Sequence, residues 1–523
     1  MPWGDETTRP WPGMAGSAAR RHTMGDAPGH AGAGPSDTPM RSSSIALILL
    51  ALIIALPAAW GGGITRASVG ADGTEGNGMS GISRVQVSAD GRLVAFDSFA
   101  DNLVPNDTNG HSDVFVRDLR AGHTTRVSVA SDGGEANGFS EFPALSADGR
   151  FVTFVSRADN LAPDDTNGRA DVFVHDRQTG ETSRISSASD GTPANGASRE
   201  PAISADGRFV AFASAASNLV PGDTNGRDDV FVHDRQARAT ERVSIPSGGG
   251  QGNGSSDSPA LSADGRHVAF ASLADNLAAG DTNGAQDVFV HDRATGETTC
   301  ASVASDGTLA DFGSFQPALS GDGRIVAFGS FASNLVAGND ASTGDIFVHD
   351  RQTGRTSCVS MAPDGGLPDA DSGSPSLSAD GRFVAFWSMA SNLAAGDTNE
   401  TLDIFRHDRK TGRTEGVSWA DGASGNSASD MPFLSADGRF VAFGSTAIHL
   451  VPNDTNEQKD IFVWDAGAPP RPPLSRAADA LRAAAGLTIP TPAEGAALDA
   501  DGSGAVTLSD AAALAREAAG PMP

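Results

Sequence analysis

The chain has 523 residues, 65 of them acidic against 37 basic, and a formal net charge of −28 at neutral pH. A surplus of that size repels polyanions, which makes nucleic acid and anionic membrane surfaces poor partners and leaves cations, basic surfaces and neutral glycans open, with plain solubility of a secreted protein as the simpler reading. Tyrosine is absent and lysine occurs only as Lys410 and Lys459, a compositional bias that carries no mechanism.

Residues 1–39 are rich in Gly, Pro, Ala and Ser and show no fold signal. They read as a mis-called or disordered leader ahead of a natural start at Met40 or Met24. Residues 45–56 are twelve uninterrupted apolar residues, too short for a comfortable membrane span and suited to the core of a signal peptide. Arg41 supplies a basic flank, and Pro57, Ala58 and Ala59 lead into small residues suited to cleavage. Residues 40–60 are therefore expected to be a signal peptide, with an uncleaved anchor as the rival. The mature chain is expected to be extracytoplasmic: secreted, periplasmic or at the cell surface.

From residue 64 to 466 one block recurs, S-A-D-G-R followed by an apolar run. Its aspartates are Asp90, Asp148, Asp206, Asp264, Asp322, Asp380 and Asp437, spaced 58 residues apart five times and then 57. A long period with strand-like content marks a repeat architecture whose units bury their faces only against neighbours. In the third unit, residues 201–204 are a short apolar run and 205–208 an Asp-Gly turn. Residues 209–213 form a second run, 217–228 a long polar loop, 229–234 a third strand and 239–245 a fourth. Four antiparallel strands repeated radially make a β-propeller blade. Pro143, Pro201, Pro259, Pro317, Pro375 and Pro432 all sit five residues before the repeat aspartate. That is the innermost strand, an edge, where a missing N–H costs no ladder bond. The last unit lacks a fourth strand, and residues 65–69 (T-R-A-S-V) match the fourth-strand segment 125–129 (T-R-V-S-V). The expectation is a ring of seven blades whose N-terminal strand completes the seventh.

The strand pair S-x-D-G-[KR]-x-[IV]-A-F followed by D-[IV]-[FY]-V-x-D resembles the WD40-like repeat of TolB-type β-propellers. The resemblance implies the fold and is nearly silent on function, since propellers host binding proteins and enzymes alike.

Within the repeat, several residue sets have chemistry to weigh. In six units the loop before the third strand carries D-T-N-x-x-x-D: Asp107/Asn109/Asp113, Asp165/Asn167/Asp171, Asp223/Asn225/Asp229, Asp281/Asn283/Asp287, Asp397/Asn399/Asp403 and Asp454/Asn456/Asp460. Unit five breaks it at Asn339 and Asp345. Oxygens at this spacing could wrap calcium, but repetition in nearly every unit favours an Asx-turn network that shapes the loop. His175, His233, His291, His349 and His407 hold one register at the end of the third strand, which marks blade packing. Cys300 and Cys358, one period apart on outer strands that splay, are expected to be unpaired. No Ser/His/Asp set and no paired carboxylates stand out from the repeat, so the chain is read as a binding protein without catalytic residues.

Beyond the repeat lies a proline-rich linker at 467–473, then a helical module at 474–520. Residues 499–510 read as an EF-hand-like calcium loop. Asp499, Asp501, Ser503, Thr507 and Asp510 offer side-chain oxygens, Ala505 offers its carbonyl, and Gly504 sits at the sharp turn. This tail resembles dockerin modules, which use Asp at the last position. The segment 474–486 echoes 508–520 without a metal loop of its own, and the resemblance implies a cohesin-like partner. The fold expected for the whole is all-β, a seven-bladed propeller with a small C-terminal α-helical EF-hand or dockerin-like module, and the chain is expected to be a monomer. The function expected is binding or scaffolding of a protein or glycan, stabilised by calcium at the tail. The alternative is a propeller-based polysaccharide lyase or hydrolase tethered through that tail. Long, polar strand 2–3 loops and inter-blade connections fall on one face and tight turns on the other, so binding is expected on the long-loop face.

Overall fold

The computed structural model describes residues 63–467, apart from 164, 340, 341, 421, 422 and 453. The leader, the signal segment 40–60, the linker beyond residue 467 and the calcium loop with Asp499, Asp501, Ser503, Ala505, Thr507 and Asp510 lie outside the described residues.

Seven four-stranded antiparallel sheets follow one another, and no helix occurs among the described residues. Blade one comprises Ser80–Val87, Leu93–Ser98, Asp113–Asp118 and His123–Arg126; blade three comprises Ser198–Ile203, Phe209–Ser214, Asp229–Asp234 and Ala239–Arg242. Blade seven takes Ser429–Leu434, Phe440–Ser445 and Asp460–Asp465 from the end of the repeat and Gly63–Arg66 from its beginning. The closing strand pairs Ile64 with Trp464 and Arg66 with Phe462. It lies nearer the N-terminus than residues 65–69. The fourth strands likewise end before the T-R-V-S-V segment does: residues 127–129 leave the sheet and start the passage to the next blade.

The repeat motif is consumed by local structure. In blade three, Ser204 Oγ donates to Asp206 Oδ1 (2.6 Å), and the Phe209 N–H donates back to Ser204 Oγ (2.9 Å). Gly207 takes φ +74°, and a Cβ there would sit 2.2 Å from the Phe151 ring of blade two, so the turn needs glycine for conformation and for space. Arg208 clasps Asp234 through two bonds of 3.0 and 2.6 Å. At the strand end, His233 Nδ1 lies 2.9 Å from Thr240 Oγ1, whose hydroxyl donates to the Ser187 carbonyl of the preceding blade. This histidine register thus ties blades together.

Between the second and third strands of every blade a phenylalanine pair meets in ladder register, as Phe212 does with Phe231 at 5.9 Å. The core is divided into seven apolar clusters between successive blades. Leu93, Ala95, Val114 and Val116 of blade one pack on Val152, Phe154 and Phe173 of blade two. Phe440, Ala442, Ile461 and Val463 of blade seven pack on Val94, Phe96 and Phe115 of blade one, which closes the ring. Each fully buried phenylalanine contributes about 2–3 kcal/mol of burial free energy, so the seams, not the sheets alone, hold the fold.

At the tight-turn end, the alanines of the repeat motif link blade to blade. Ala89 N–H donates to the Ala147 carbonyl, and the series continues through Ala205, Ala263, Gly321, Ala379 and Ala436 at 2.8–3.0 Å. A central channel runs inside the first strands, with a cavity of about 390 Å³ lined by all seven blades.

Candidate functional site

The first strand of each blade is bulged where it faces the channel. In blade three Arg199 pairs with Ala213 and Ala202 with Ala211, so Glu200 and Pro201 together oppose Phe212. Proline is tolerated because the bulge leaves the ladder there, a more specific reason than an edge position alone. Proline also disfavours the right-handed helical region for the residue before it. Phe142, Glu200, Ser258, Gln316, Ser374 and Met431 accordingly take φ of 49–55°. Left-handed backbone costs a non-glycine residue about 1–2 kcal/mol, and the cost here aims one side chain at the channel in each of blades two to seven.

That position is where the blades stop being copies. Phe142, Glu200, Ser258, Gln316, Ser374 and Met431 share a backbone conformation but little chemistry. Blade one differs further: its first strand is two residues longer, with Gly81, Ile82, Ser83 and Arg84 between the paired Ser80 and Val85. Asp97 holds that longer bulge. It is buried, accepts from the N–H groups of Ser83 (3.2 Å) and Ile82 (3.3 Å), and burial pushes its carboxyl up to about 6. The other blades have Val155, Ala213, Ala271, Gly329, Trp387 and Gly444 opposite the same position.

The ring side chains reach from one blade to the next. Ser258 N–H donates to Glu200 Oε2 (2.7 Å), Ser374 N–H to Gln316 Oε1 (3.1 Å) and Phe142 N–H to Ser83 Oγ (2.7 Å). Arg84 reaches past blade two, and its Nη1 donates to the Pro201 carbonyl at 2.9 Å. Burial pulls the Arg84 guanidinium below its ordinary range, with Glu200 opposing the shift. Beside the ring, Arg199 pairs with Asp228 at 2.7 Å and lies 3.6 Å from Glu200. Asp257 is pushed up, by burial first and then by Glu200.

Around the mouth, the described residues include eight large hydrophobic side chains that are exposed: Met79, Phe99, Phe139, Leu273, Phe312, Phe331, Met389 and Ile448, each 38–57% accessible. All eight belong to strand 2–3 loops or to connections between blades. The tight-turn face has none of them. Six flank the serine pairs, such as Ser80 and Ser98, that join the first two strands next to the axis. Phe99 meets Phe139 edge-on at 6.1 Å, and His111 packs on Phe139 at 4.5 Å.

The D-T-N loops form a separate set, away from the channel. Asn109 Nδ2 donates to Asp113 Oδ2 (2.7 Å), and Asn109 Oδ1 accepts from the His111 N–H (2.8 Å), an Asx turn. In blade one, Arg126 enters the acid group, 3.1 Å from Asp107, 3.3 Å from Asp113 and 2.6 Å from Glu135. Arg184, Arg242 and Arg66 do the same in blades two, three and seven. Blades four, five and six place Cys300, Cys358 and Gly416 there. Both cysteines are free, and burial pushes their thiols up to about 12.

The sequence reading assigned the long-loop face and the D-T-N network but passed over the channel ring and Arg84. The available signal was the residue before each proline, which varies from unit to unit against an otherwise constant background.

No protein-family model matches the chain, and no curated protein matches it. Among solved structures it is similar to an oligogalacturonate lyase in complex with manganese, at 14% identity and a TM-score of 0.47, covering 77% of this chain and 92% of that one. It is also similar to TolB from Acinetobacter baumannii, at 15% identity and a TM-score of 0.35, covering 63% and 77%. A third is the β-propeller domain of the Trilobed protease from Pyrococcus furiosus, at 12% identity and a TM-score of 0.45, covering 74% and 96%.

Proposed function

We propose that the chain is an extracytoplasmic binding protein that takes a protein or glycan ligand on the long-loop face of its propeller. One observation carries the reading: the exposed large apolar side chains of the described residues all lie on that face, and most of them ring the channel mouth. Exposed apolar groups gathered around a concave, variable site on a rigid scaffold are where binding free energy accumulates. The signal-like segment 45–56 supports the compartment. The 499–510 loop is proposed to hold calcium and so to stabilise the tail.

The test is a screen of glycans and secreted proteins against the mature chain, run with and without calcium, with glycans also assayed for cleavage. Phe99→Glu with Leu273→Glu should weaken any ligand found by tenfold or more. Arg120→Glu with Lys410→Glu, on the tight turns of the opposite face, should leave it unchanged. Loss of binding from the second pair alone would overturn the face assignment, and turnover of a glycan would make the chain an enzyme.

A further inference from the structure

We propose that the throat of the channel is a carboxylate site, in which Arg84 receives the C-terminal carboxylate of a polypeptide. The proposal rests on the long-loop face being the binding face and names what that face recognises.

Among the described residues Arg84 is the one guanidinium that lines the cavity. A guanidinium has five N–H donors in a planar fork matched to a carboxylate. Among the described residues Arg84 spends one bond, to the Pro201 carbonyl, and has no carboxylate within ion-pair distance. Glu200, the acid whose field it feels, is already engaged by the Ser258 N–H and lies beside Arg199. The arginines of the repeat motif differ: Arg208, for example, is locked onto Asp234 by two bonds. Arg84 therefore stands at the channel with donors left over and no ion pair among the described residues, its charge met by the field of Glu200.

The backbone adds donors of the same kind. At the bulges of Phe142, Ser258 and Ser374 the N–H group is taken by a side chain of the preceding blade. At Glu200, Gln316 and Met431 the preceding ring residue is Phe142, Ser258 or Ser374, and no such side-chain bond is made among the described residues. Glu200 and Met431 are half-buried and Gln316 is exposed, and an N–H without a side-chain partner there is a donor open to a ligand's acceptor.

The occupant follows from charge and rim. A chain of net charge −28 disfavours a polyanion such as an acidic polysaccharide, whereas a single terminal carboxylate meets Arg84 without that repulsion. The rim of the long-loop face presents Phe99, Phe139, Leu273, Phe331 and Met389, and below it Phe142, Met431 and Phe433 line the cavity, which starts at the bulges and runs toward the Asp-Gly turns. Such surfaces suit apolar side chains just upstream of a peptide terminus. A cavity of about 390 Å³ is in the range of sites for small ligands, roughly 300–1,000 Å³.

The experiment uses the full mature chain and fluorescein-labelled pentapeptides ending in Phe, Leu or Met, each made with a free carboxylate and as the amide, alongside an oligouronide. The expected result is at least tenfold tighter binding of the carboxylate form. Arg84→Gln should abolish that preference, Arg84→Lys should retain part of it, and Glu200→Gln should preserve or raise it. Unfolding of each variant in urea separates lost binding from lost fold. If Arg84→Gln fails to fold, a preference unchanged in Arg84→Lys and lowered in Glu200→Gln overturns the proposal. Equal binding of acid and amide, binding of the oligouronide alone, or no peptide binding up to millimolar concentration also overturns it. A ligand that depends on Phe99 and Leu273 but ignores the terminal carboxylate removes the Arg84 site and leaves the long-loop reading intact.

Discussion

Four of the seven blades end their fourth strand with an arginine that enters the D-T-N acid group, and the exceptions are informative. In blade four Cys300 takes the place of Arg126, Arg184, Arg242 and Arg66, its sulfur 3.3 Å from Ser302 Oγ. Asp281 and Asp287 remain buried beside each other, and Asp281 is pushed up to about 6, by burial first and then by Asp287. The four arginine-bearing blades show that the site can house a guanidinium. Cys300→Arg is expected to stabilise the propeller by about 1 kcal/mol at pH 7, as a consensus repair at a partly buried acid pair. Urea denaturation reads the change, and a lowered midpoint would mean that the cysteine is there for packing. At this scale the sequence was partly legible. The Asx spacing was visible because Asp, Asn and Asp fall within one loop. Arg84 was not, because nothing local marks a residue that projects across a channel to Pro201, 117 positions away.

At the scale of the strand, closure is the feature with the largest consequence. Gly63–Arg66 supplies the outer edge of blade seven, and the chain just beyond it adds buried bonds: the Ala67 N–H to the Ile461 carbonyl at 2.7 Å and the Ile461 N–H to Ser68 Oγ at 3.0 Å. Deleting residues 61–70 should leave a three-stranded blade and lower stability by several kcal/mol, a loss typical of removing a buried bonded network. An unchanged thermal transition would show that the ring does not depend on this strand. The closing strand was readable because its T-R-x-S-V signature repeats elsewhere. Its boundary was not, since that signature straddles the point at which the chain leaves the sheet. The Asp-Gly turns were legible from their residues alone. The bulge was hidden because proline is compatible with both a plain edge and a bulge, and only the pairing of Arg199 with Ala213 and Ala202 with Ala211 separates them.

Across the whole propeller, two populations of carboxylates set opposite responses to acid. Asp97, Asp107, Asp281, Asp403 and Asp460 are each raised to about 6, with burial the leading cause. Their unfolded values lie near 3.8, so between pH 7 and pH 5 the folded state takes up protons that the unfolded state does not. Stability therefore rises as pH falls through about 6. Asp176, Asp234, Asp292, Asp350 and Asp408 are held low by Arg150, Arg208, Arg266, Arg324 and Arg382, Asp234 at about 2. Their contribution is complete above about 3.8 and is lost as pH falls through the folded values. Six histidines oppose that rise: burial holds His175, His233, His267, His291, His349 and His407 below their ordinary value of 6.5, His233 at about 4, so each loses stability as pH falls below 6.5. The two effects offset, and a nearly flat stability profile is expected between about pH 5 and 7. Urea midpoints across pH check this, and Asp97→Asn should tip the profile toward loss as pH falls from about 7 to 5. A midpoint that falls steadily from pH 7 to 5 would contradict it.

The bond between Ser68 and Asp460 joins residues 392 positions apart. A ribosome delivers the first partner hundreds of residues before the second, so blades one to six can assemble during synthesis while the seam to blade seven waits. Until residue 465 arrives, the opening edge of the ring exposes Val94, Phe96 and Phe115 to solvent. Contacts of such sequence separation form slowly and leave sticky intermediates. The same delay leaves the ring open for as long as synthesis lasts, so its final locking is a single late step that waits on the last strand.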